Sequence, residues 1–91
     1  MKYAVEVGDV EKSRLEYHAN QLLGSQTIKI NNTPVKKVRR FLNEPILEVD
    51  SFVVGDHEKT TIRIEKQRRQ LFGYTNRLYV NDRLMWVFRG L

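Results

Sequence analysis

The sequence predicts an all-β protein, an antiparallel β-sandwich of about seven to eight short strands. Hydrophobic and polar residues alternate in short runs along most of the chain, which is the period of a half-buried strand. Turns that contain Asn, Asp or Gly separate these runs. A chain of 91 residues, 41% of them hydrophobic, has material for one core. We therefore expect a single domain that covers residues 1–91.

The first three predicted strands cover residues 3–8, 13–18 and 26–30. In each of them apolar side chains occupy alternate positions, so they share one face of an extended chain. A turn at Gly8-Asp9 makes the first connection short, which predicts that the first two strands pair antiparallel. The side chains expected to face the core are Tyr3, Val5, Val7, Leu15, Tyr17, Ile28 and Ile30.

The fourth segment follows a tight turn at Asn31-Asn32, because two asparagines tolerate the positive φ of a two-residue hairpin. Pro34 cannot donate to a central ladder, so its strand starts there or lies at a sheet edge. Residues 35–42 fit two structures, an amphipathic helix or an irregular strand. Pro45 ends either one. If the domain contains a helix, we expect it in this segment.

The second half of the chain is denser in β-forming residues. A turn is expected at residues 54–57, and Asn81-Asp82 is a second two-residue hairpin turn of the same kind as Asn31-Asn32. Six segments are expected to be extended: residues 46–49, 51–54, 60–65, 71–75, 77–80 and 83–88.

The positive charge of the chain is concentrated near its C-terminus. Residues 59–91 hold eight basic and two acidic residues, whereas residues 1–58 hold eight basic and nine acidic ones, within a net charge of +5. Strand alternation places basic and aromatic side chains together on one solvent face, the combination that single-stranded nucleic-acid binders use. A solvated face that prevents aggregation is the alternative. The candidate nucleic-acid-binding residues are Arg63, Arg68, Arg69, Arg77 and Tyr79.

Two other segments have two interpretations each. The basic run at residues 36–40 is either a recognition tract or part of a folded amphipathic segment. The apolar run at residues 84–88 carries large groups on both faces. It is either a strand buried on both sides or an exposed patch that binds a partner or a second copy of the domain. The candidate partner-binding residues are Trp86, Phe88 and Met85.

The sequence argues against an enzyme, a resident metal and a cofactor. Cysteine is absent, which excludes a thiolate metal site and a disulfide framework. His18 and His57 have no metal-ligand spacing, and no serine lies in a nucleophile elbow. The five glycines are dispersed, so no phosphate-binding loop is present. We expect no catalytic, metal or cofactor-binding residues.

The chain is expected to be cytoplasmic and not to associate with membranes. No stretch approaches the roughly 20 apolar residues of a transmembrane helix. The N-terminus also lacks the continuous apolar run of a signal peptide.

Two stretches of motifs, taken in order, carry a resemblance to a known family. The first runs from Leu15-Glu16-Tyr17-His18 through Gly24-Ser25 to the hairpin at residues 27–32. It is similar to the aromatic-x-His strand and the "VDG"-tipped hairpin of the Fas apoptotic inhibitory molecule family. In this chain Tyr17 directly precedes His18, and Asn32 stands where the family has glycine.

The second stretch is similar to three motifs of the same family. Residues 51–57 match its "F-x-VG" strand and turn, residues 62–64 its I-x-I strand, and residues 78–82 its closing "L-x-V-[DN]" hairpin, with Phe72-Gly73-Tyr74 before that hairpin. The resemblance covers residues 15–82. Asp82 takes the place of the glycine at the tip of the closing hairpin.

The resemblance implies an all-β sandwich with a non-catalytic role in protein–protein interaction. Members of the family carry two tandem copies of such a unit, and this chain has the length of one. We therefore expect a domain that binds a protein partner or a second copy of itself. The alternative is a nucleic-acid-binding module that uses the basic and aromatic C-terminal sheet face.

Overall fold

A computed structural model describes residues 1–40, 45–70 and 72–90. These residues form two four-stranded antiparallel sheets, in the orders β1-β2-β3-β4 and β5-β6-β7-β8, and contain no helix. The predicted all-β class is therefore confirmed. The strands are β1 (Lys2–Val7), β2 (Ser13–Asn20), β3 (Ser25–Ile30), β4 (Thr33–Arg39), β5 (Leu47–Val54), β6 (Thr60–Arg68), β7 (Tyr74–Val80) and β8 (Arg83–Gly90).

The two sheets face each other with their strand orders reversed. The ring of Tyr3 in β1 stacks on Phe88 in β8, with 3.9 Å between ring centroids. At the opposite side, the ammonium of Lys36 in β4 lies 2.7 Å from the carboxylate of Asp50 in β5. Edge strand β1 therefore lies opposite β8, and edge strand β4 lies opposite β5.

The chain is built from two similar halves, which the sequence analysis did not identify. Val7-Gly8-Asp9 recurs as Val54-Gly55-Asp56, each time in the turn after the first strand of a sheet. The hairpin at Asn31-Asn32 recurs at Asn81-Asp82, and all four of these residues have positive φ. The register of each last hairpin also shifts at the same place, after Ile28 in the first sheet and after Leu78 in the second. Equivalent strands are thus β1 and β5, β2 and β6, β3 and β7, and β4 and β8.

Several sequence predictions need correction. Of the two alternatives for residues 35–42, the irregular strand is confirmed over the described residues and the helix is wrong, because β4 continues to Arg39 and pairs with β3 with a shift of register. Helical spacing of apolar residues is misleading here, since polar Lys36 takes an inward position. Residues 41 and 42 lie outside the described residues, as does Leu71. One strand, β5, replaces the two segments expected at 46–49 and 51–54. Among the described residues, one strand, β7, likewise begins at Tyr74 and continues through the segment expected at 77–80.

Two carboxylates join the sheets at one end of the sandwich. The Glu11 carboxylate accepts hydrogen bonds of 2.8–3.0 Å from the backbone N–H groups of residues 56–58. Reciprocally, the Glu58 carboxylate accepts from the N–H groups of Asp9 at 2.7 Å and Val10 at 3.2 Å. Because its backbone donors favour the charged form, the pKa of Glu11 is lowered. The loop between β1 and β2 and the turn between β5 and β6 are therefore hydrogen-bonded to each other.

The core lies between the sheets and follows the predicted alternation. Leu15, Tyr17 and Ile28 from the first sheet and Ile62, Ile64 and Leu78 from the second are all at most 1% exposed. The half-buried Trp86 and Phe88 pack against this core. Apolar burial of this kind is the main favourable term in folding a chain of this size.

Candidate functional site

A cluster of charged side chains lies inside the sandwich between β4 and β5. The Glu48 carboxylate lies 2.7 Å from the Arg40 guanidinium and 3.1 Å from the ammonium groups of Lys36 and Lys66. Lys36 also contacts Asp50 at 2.7 Å. The side chain of Glu48 is 11% exposed and that of Lys66 is 4% exposed. We call these five residues the interior charge cluster.

The electrostatics of the interior charge cluster depend on its hydrogen bonds. Burial by itself would raise the pKa of Glu48, but hydrogen bonds from Arg40, Lys36 and Lys66 outweigh it and lower the pKa to about 2. Burial also raises the pKa of the neighbouring Tyr17 hydroxyl to about 12. The three cations therefore hold Glu48 in its charged form, and the cluster brings three positive and two negative side chains together in the interior.

The cluster differs from the equivalent region of the other half. In the internal repeat, Lys36 is equivalent to Trp86 and Asp50 is equivalent to Tyr3. The contact on the β1/β8 side is therefore apolar and aromatic. The two sides of the sandwich that the internal repeat relates are therefore held together differently. Ion pairs join β4 to β5, and stacked rings join β1 to β8.

The outer face of the second sheet, which we call the second outer face, is organised in cross-strand rows. One row runs Ser51, Arg63, Tyr79 and Leu84 across the four strands. The next row runs Val49, Glu65, Arg77 and Val87. The centre of this face is therefore polar and charged, and its two edges are mostly apolar.

Six large apolar side chains are exposed along these two edges, on β5 and β8. Their exposed fractions range from 43% at Val87 to 65% at Val53. On the outer face of the first sheet, the first outer face, Val35 is the corresponding exposed residue among the described strands. The six side chains of the second outer face are Leu47, Val49, Val53, Leu84, Met85 and Val87.

The internal repeat allows a position-by-position comparison of the two outer faces. Charged residues and a proline line the edges of the first outer face where aliphatic residues line the second. Because both faces are built on the same strand framework with the same registers, folding does not require the aliphatic residues there. The equivalent pairs are Lys2 and Val49, Glu6 and Val53, Pro34 and Leu84, and Lys37 and Val87.

Three of the five predicted nucleic-acid-binding residues lie together on the second outer face. The guanidinium of Arg63 lies over the ring of Tyr79, 4.1 Å from its centroid, and also contacts Glu65 at 3.1 Å and Asp82 at 3.0 Å. Arg77 donates to the Gln67 side-chain oxygen at 3.3 Å. Two acidic partners and an aromatic ring thus already engage Arg63, and it covers one face of that ring.

The other two predicted basic residues lie elsewhere. Arg68 is the last residue of β6 and takes an inward position, but it lies past the end of the core and is exposed. Arg69 follows the strand and is also exposed. A further basic residue of the C-terminal third, Lys66, is 3% exposed and belongs to the interior charge cluster. The charge count of the C-terminal third therefore overstates the basic character of its surface.

The three predicted partner-binding residues lie on two faces of β8. Trp86 pairs with the fully buried Leu78, and Phe88 stacks on Tyr3, so both face the core. Met85 lies on the opposite face and is 53% exposed. The run is therefore not buried on both sides: its inner face packs on the core and its outer face is exposed. A partner on the second outer face would contact Met85 rather than the two aromatic rings.

The two histidines lie in different elements, and both are exposed. His18 is on the first outer face in β2, and His57 is in the turn between β5 and β6. Within residues 1–40, 45–70 and 72–90, no three His, Asp or Glu side chains are grouped as metal ligands. The same residues hold no helix with the length and hydropathy required to cross a bilayer.

Sequence reasoning considered an exposed apolar patch on β8 but missed the aliphatic edge on β5. The signal was present in the repeat, because aligning Val7-Gly8-Asp9 with Val54-Gly55-Asp56 places Lys2 against Val49. Comparison of the chain with protein-family models, with curated proteins and with solved structures finds no match.

Proposed function

We propose that this chain is a non-enzymatic domain that binds a protein partner through the second outer face. The observation that carries the proposal is the difference between the two outer faces: aliphatic residues on the second occupy positions that hold lysine, glutamate and proline on the first. Exposed aliphatic side chains grouped beside polar and charged ones are typical of surfaces that another protein covers.

The arrangement of this face fits a protein partner. Apolar residues on β5 and β8 provide area whose burial is favourable, at about 25 cal/mol per Å². Between them, Arg63, Arg77 and Glu65 provide charges that would set the orientation of a partner. The resemblance of residues 15–82 to the Fas apoptotic inhibitory molecule family supports the same class of function.

Replacing Val49 and Val87 with lysine tests the proposal. Lysine already stands at the equivalent positions of the first sheet, as Lys2 and Lys37, so we expect the double variant to fold. We expect it to lose at least about tenfold in affinity for protein partners, because two ammonium groups replace buried aliphatic contacts. Quantitative cross-linking of tagged protein, followed by binding measurements with each purified partner, gives this affinity.

The matched control is the double variant Lys2→Ala and Lys37→Ala, which alters the equivalent row of the first outer face. It should keep the wild-type partners and affinities. Equal binding by the Val49→Lys, Val87→Lys variant and the wild type would contradict the proposal. Sedimentation of the wild type over a range of concentrations shows whether the partner is a second copy of the chain.

A second candidate function is nucleic-acid binding by the same face. The observation in its favour is that Arg63, Arg77 and Tyr79 share one surface. Binding driven by phosphate contacts weakens steeply as salt rises, whereas binding to an apolar surface does not. If this function holds, mixed single-stranded oligonucleotides will bind at low salt and Arg77→Ala will reduce the salt dependence. No binding at low salt would remove this candidate.

A further inference from the structure

The free edge of β8 carries no proline and no charged side chain between Arg83 and Arg89. β8 pairs with β7 on one side, and no strand within residues 1–40, 45–70 and 72–90 pairs with its other side. Unpaired main-chain N–H and C=O groups along such an edge are a template for another extended chain, so proteins usually block them.

The other three edge strands each carry a protective feature. β1 is short, six residues, and has Lys2 and Glu6 on its outer face. β5 directs Glu48 and Asp50 inward, a placement that disfavours pairing with a second sheet. These features are the ones by which natural sheets avoid edge-to-edge association.

The comparison between β4 and β8 is the most informative, because the two strands are equivalent in the repeat. β4 contains Pro34 and three basic residues, at positions 36, 37 and 39. β8 has Leu84, Trp86 and Val87 at the positions of Pro34, Lys36 and Lys37. The second copy of this strand therefore lacks a proline and two charges that the first copy has. The bulge opposite Leu78 lies near the turn and leaves residues 86–90 in regular register.

The charges at the two ends of β8 indicate what pairs with it. Arg83 and Arg89 are both exposed and lie near opposite ends of the strand. In an antiparallel pair of two copies of β8, each end of the pair would carry Arg83 of one copy, on the inner face, and Arg89 of the other, on the outer face. Both chains also carry a net charge of +5. Positive charges gathered at both ends of the pair oppose the association of two basic chains. A strand with acidic residues at both ends has the complementary charge.

We propose that β8 binds an extended segment of a partner protein by strand addition, and that this segment carries acidic residues at both ends and apolar residues between them. Its main chain pairs with the free edge of β8, and alternate side chains pack beside Leu84, Met85 and Val87. This rests on the proposed function and adds to it the conformation and charge of the bound segment.

A titration followed by amide NMR tests the proposal with a defined probe, a peptide of alternating threonine and valine with a glutamate at each end. We expect chemical-shift changes concentrated in β8 and slower exchange of its outward N–H groups. The same peptide with N-methylated alternate residues cannot pair and should bind at least about tenfold more weakly. A peptide with lysine in place of each glutamate should also bind about tenfold more weakly, because its charges repel Arg83 and Arg89.

The protein variant Leu84→Pro copies Pro34 from the equivalent edge. We expect it to weaken binding of the glutamate-ended peptide by about tenfold, while Leu84→Ala, which removes the side chain and keeps the N–H, changes the affinity less than about threefold. Equal binding of the N-methylated and unmodified peptides overturns the proposal even if Leu84→Pro fails to fold. A dimer of the chain alone that Leu84→Pro abolishes also overturns it, because a second copy would then occupy the edge.

The failure of this inference can be distinguished from failure of the proposed function. Val49 lies on the far edge of the sheet, so Val49→Lys should leave peptide binding to β8 unchanged. If the lysine double variant loses its protein partners while the peptide shows no preference for β8, the second outer face binds partners by another mode. If the peptide binds β8 as expected and the lysine double variant keeps all its partners, the proposed function is wrong.

Discussion

Replacing Glu48 with glutamine will lower the free energy of unfolding by about 3 kcal/mol, because removing one member of a buried ion network leaves its partners uncompensated. Three cationic groups lie within 3.1 Å of this carboxylate, and Lys66 among them is nearly inaccessible to water. A glutamine amide has a similar shape and no charge, so the effect reports electrostatics rather than volume. Urea denaturation of both proteins measures it.

The matched control is Glu16→Gln on the first outer face. The Glu16 carboxylate pairs with Arg14 at 3.2 Å, but both side chains are substantially exposed. We expect this variant to change stability by less than about 0.5 kcal/mol, since exposed ion pairs are screened by water. Similar losses in the two variants would show that the interior charge cluster has no special stabilising role.

The acid dependence of stability gives an independent check on Glu48. Its pKa is lowered in the folded protein from 4.5 to about 2. A lowered folded-state pKa contributes stability that is complete above the unfolded value and disappears as the pH falls through the folded value. The difference in stability between the wild type and Glu48→Gln should therefore shrink between about pH 4.5 and about pH 2. A difference that stays constant over this range would contradict the assignment.

Replacing Gly24 with alanine is expected to destabilise the protein by about 3 kcal/mol or more, from backbone strain and a direct clash. Gly24 has a φ of +67°, a conformation that side chains other than glycine adopt at a cost. A methyl group there would overlap the carbonyl oxygen of Arg40, whose N–H donates to the Gly24 carbonyl at 2.6 Å. Thermal unfolding followed by circular dichroism measures the loss.

Gly90→Ala is the control for this substitution. Apart from its chain neighbours, no atom of the described residues lies within 4 Å of the position that its Cβ would take, and its φ is not positive. We expect a change within about 0.5 kcal/mol. Because Arg40 also holds Glu48 at 2.7 Å, displacement of the Arg40 backbone in Gly24→Ala should weaken the interior charge cluster as well. Equal stability of the two alanine variants would show that the chain relaxes around Gly24 without cost.

The prediction of strands succeeded wherever alternation was local and regular. Alternating residues such as Leu15 and Tyr17 lie on one face of a strand whatever the strand pairs with, so sequence alone was sufficient. It left residues 35–42 open between a helix and an irregular strand, because polar Lys36 faces inward and hides the alternation. Its inward position depends on Glu48 and Asp50, which belong to the opposite sheet.

The residues of the second outer face were only partly predictable, because their surroundings also depend on residues that are distant in the sequence. Alternation correctly placed Arg63, Arg77 and Tyr79 on one outer face, because neighbouring strands in register align their outward residues. It could not show that Lys66 is buried or that Arg63 is already paired with Glu65 and Asp82. Counting charge by position along the chain ignores which charges the fold brings together.

The sequence by itself determined the all-β class, the hairpin turns at Asn31-Asn32 and Asn81-Asp82 and the outward or inward direction of most strand residues. Each of these depends on neighbours a few residues apart. Only the tertiary structure decided that β4 and β5 meet through ions while β1 and β8 meet through rings. It also decided which edges remain open. These properties depend on contacts between distant residues, which no local pattern contains.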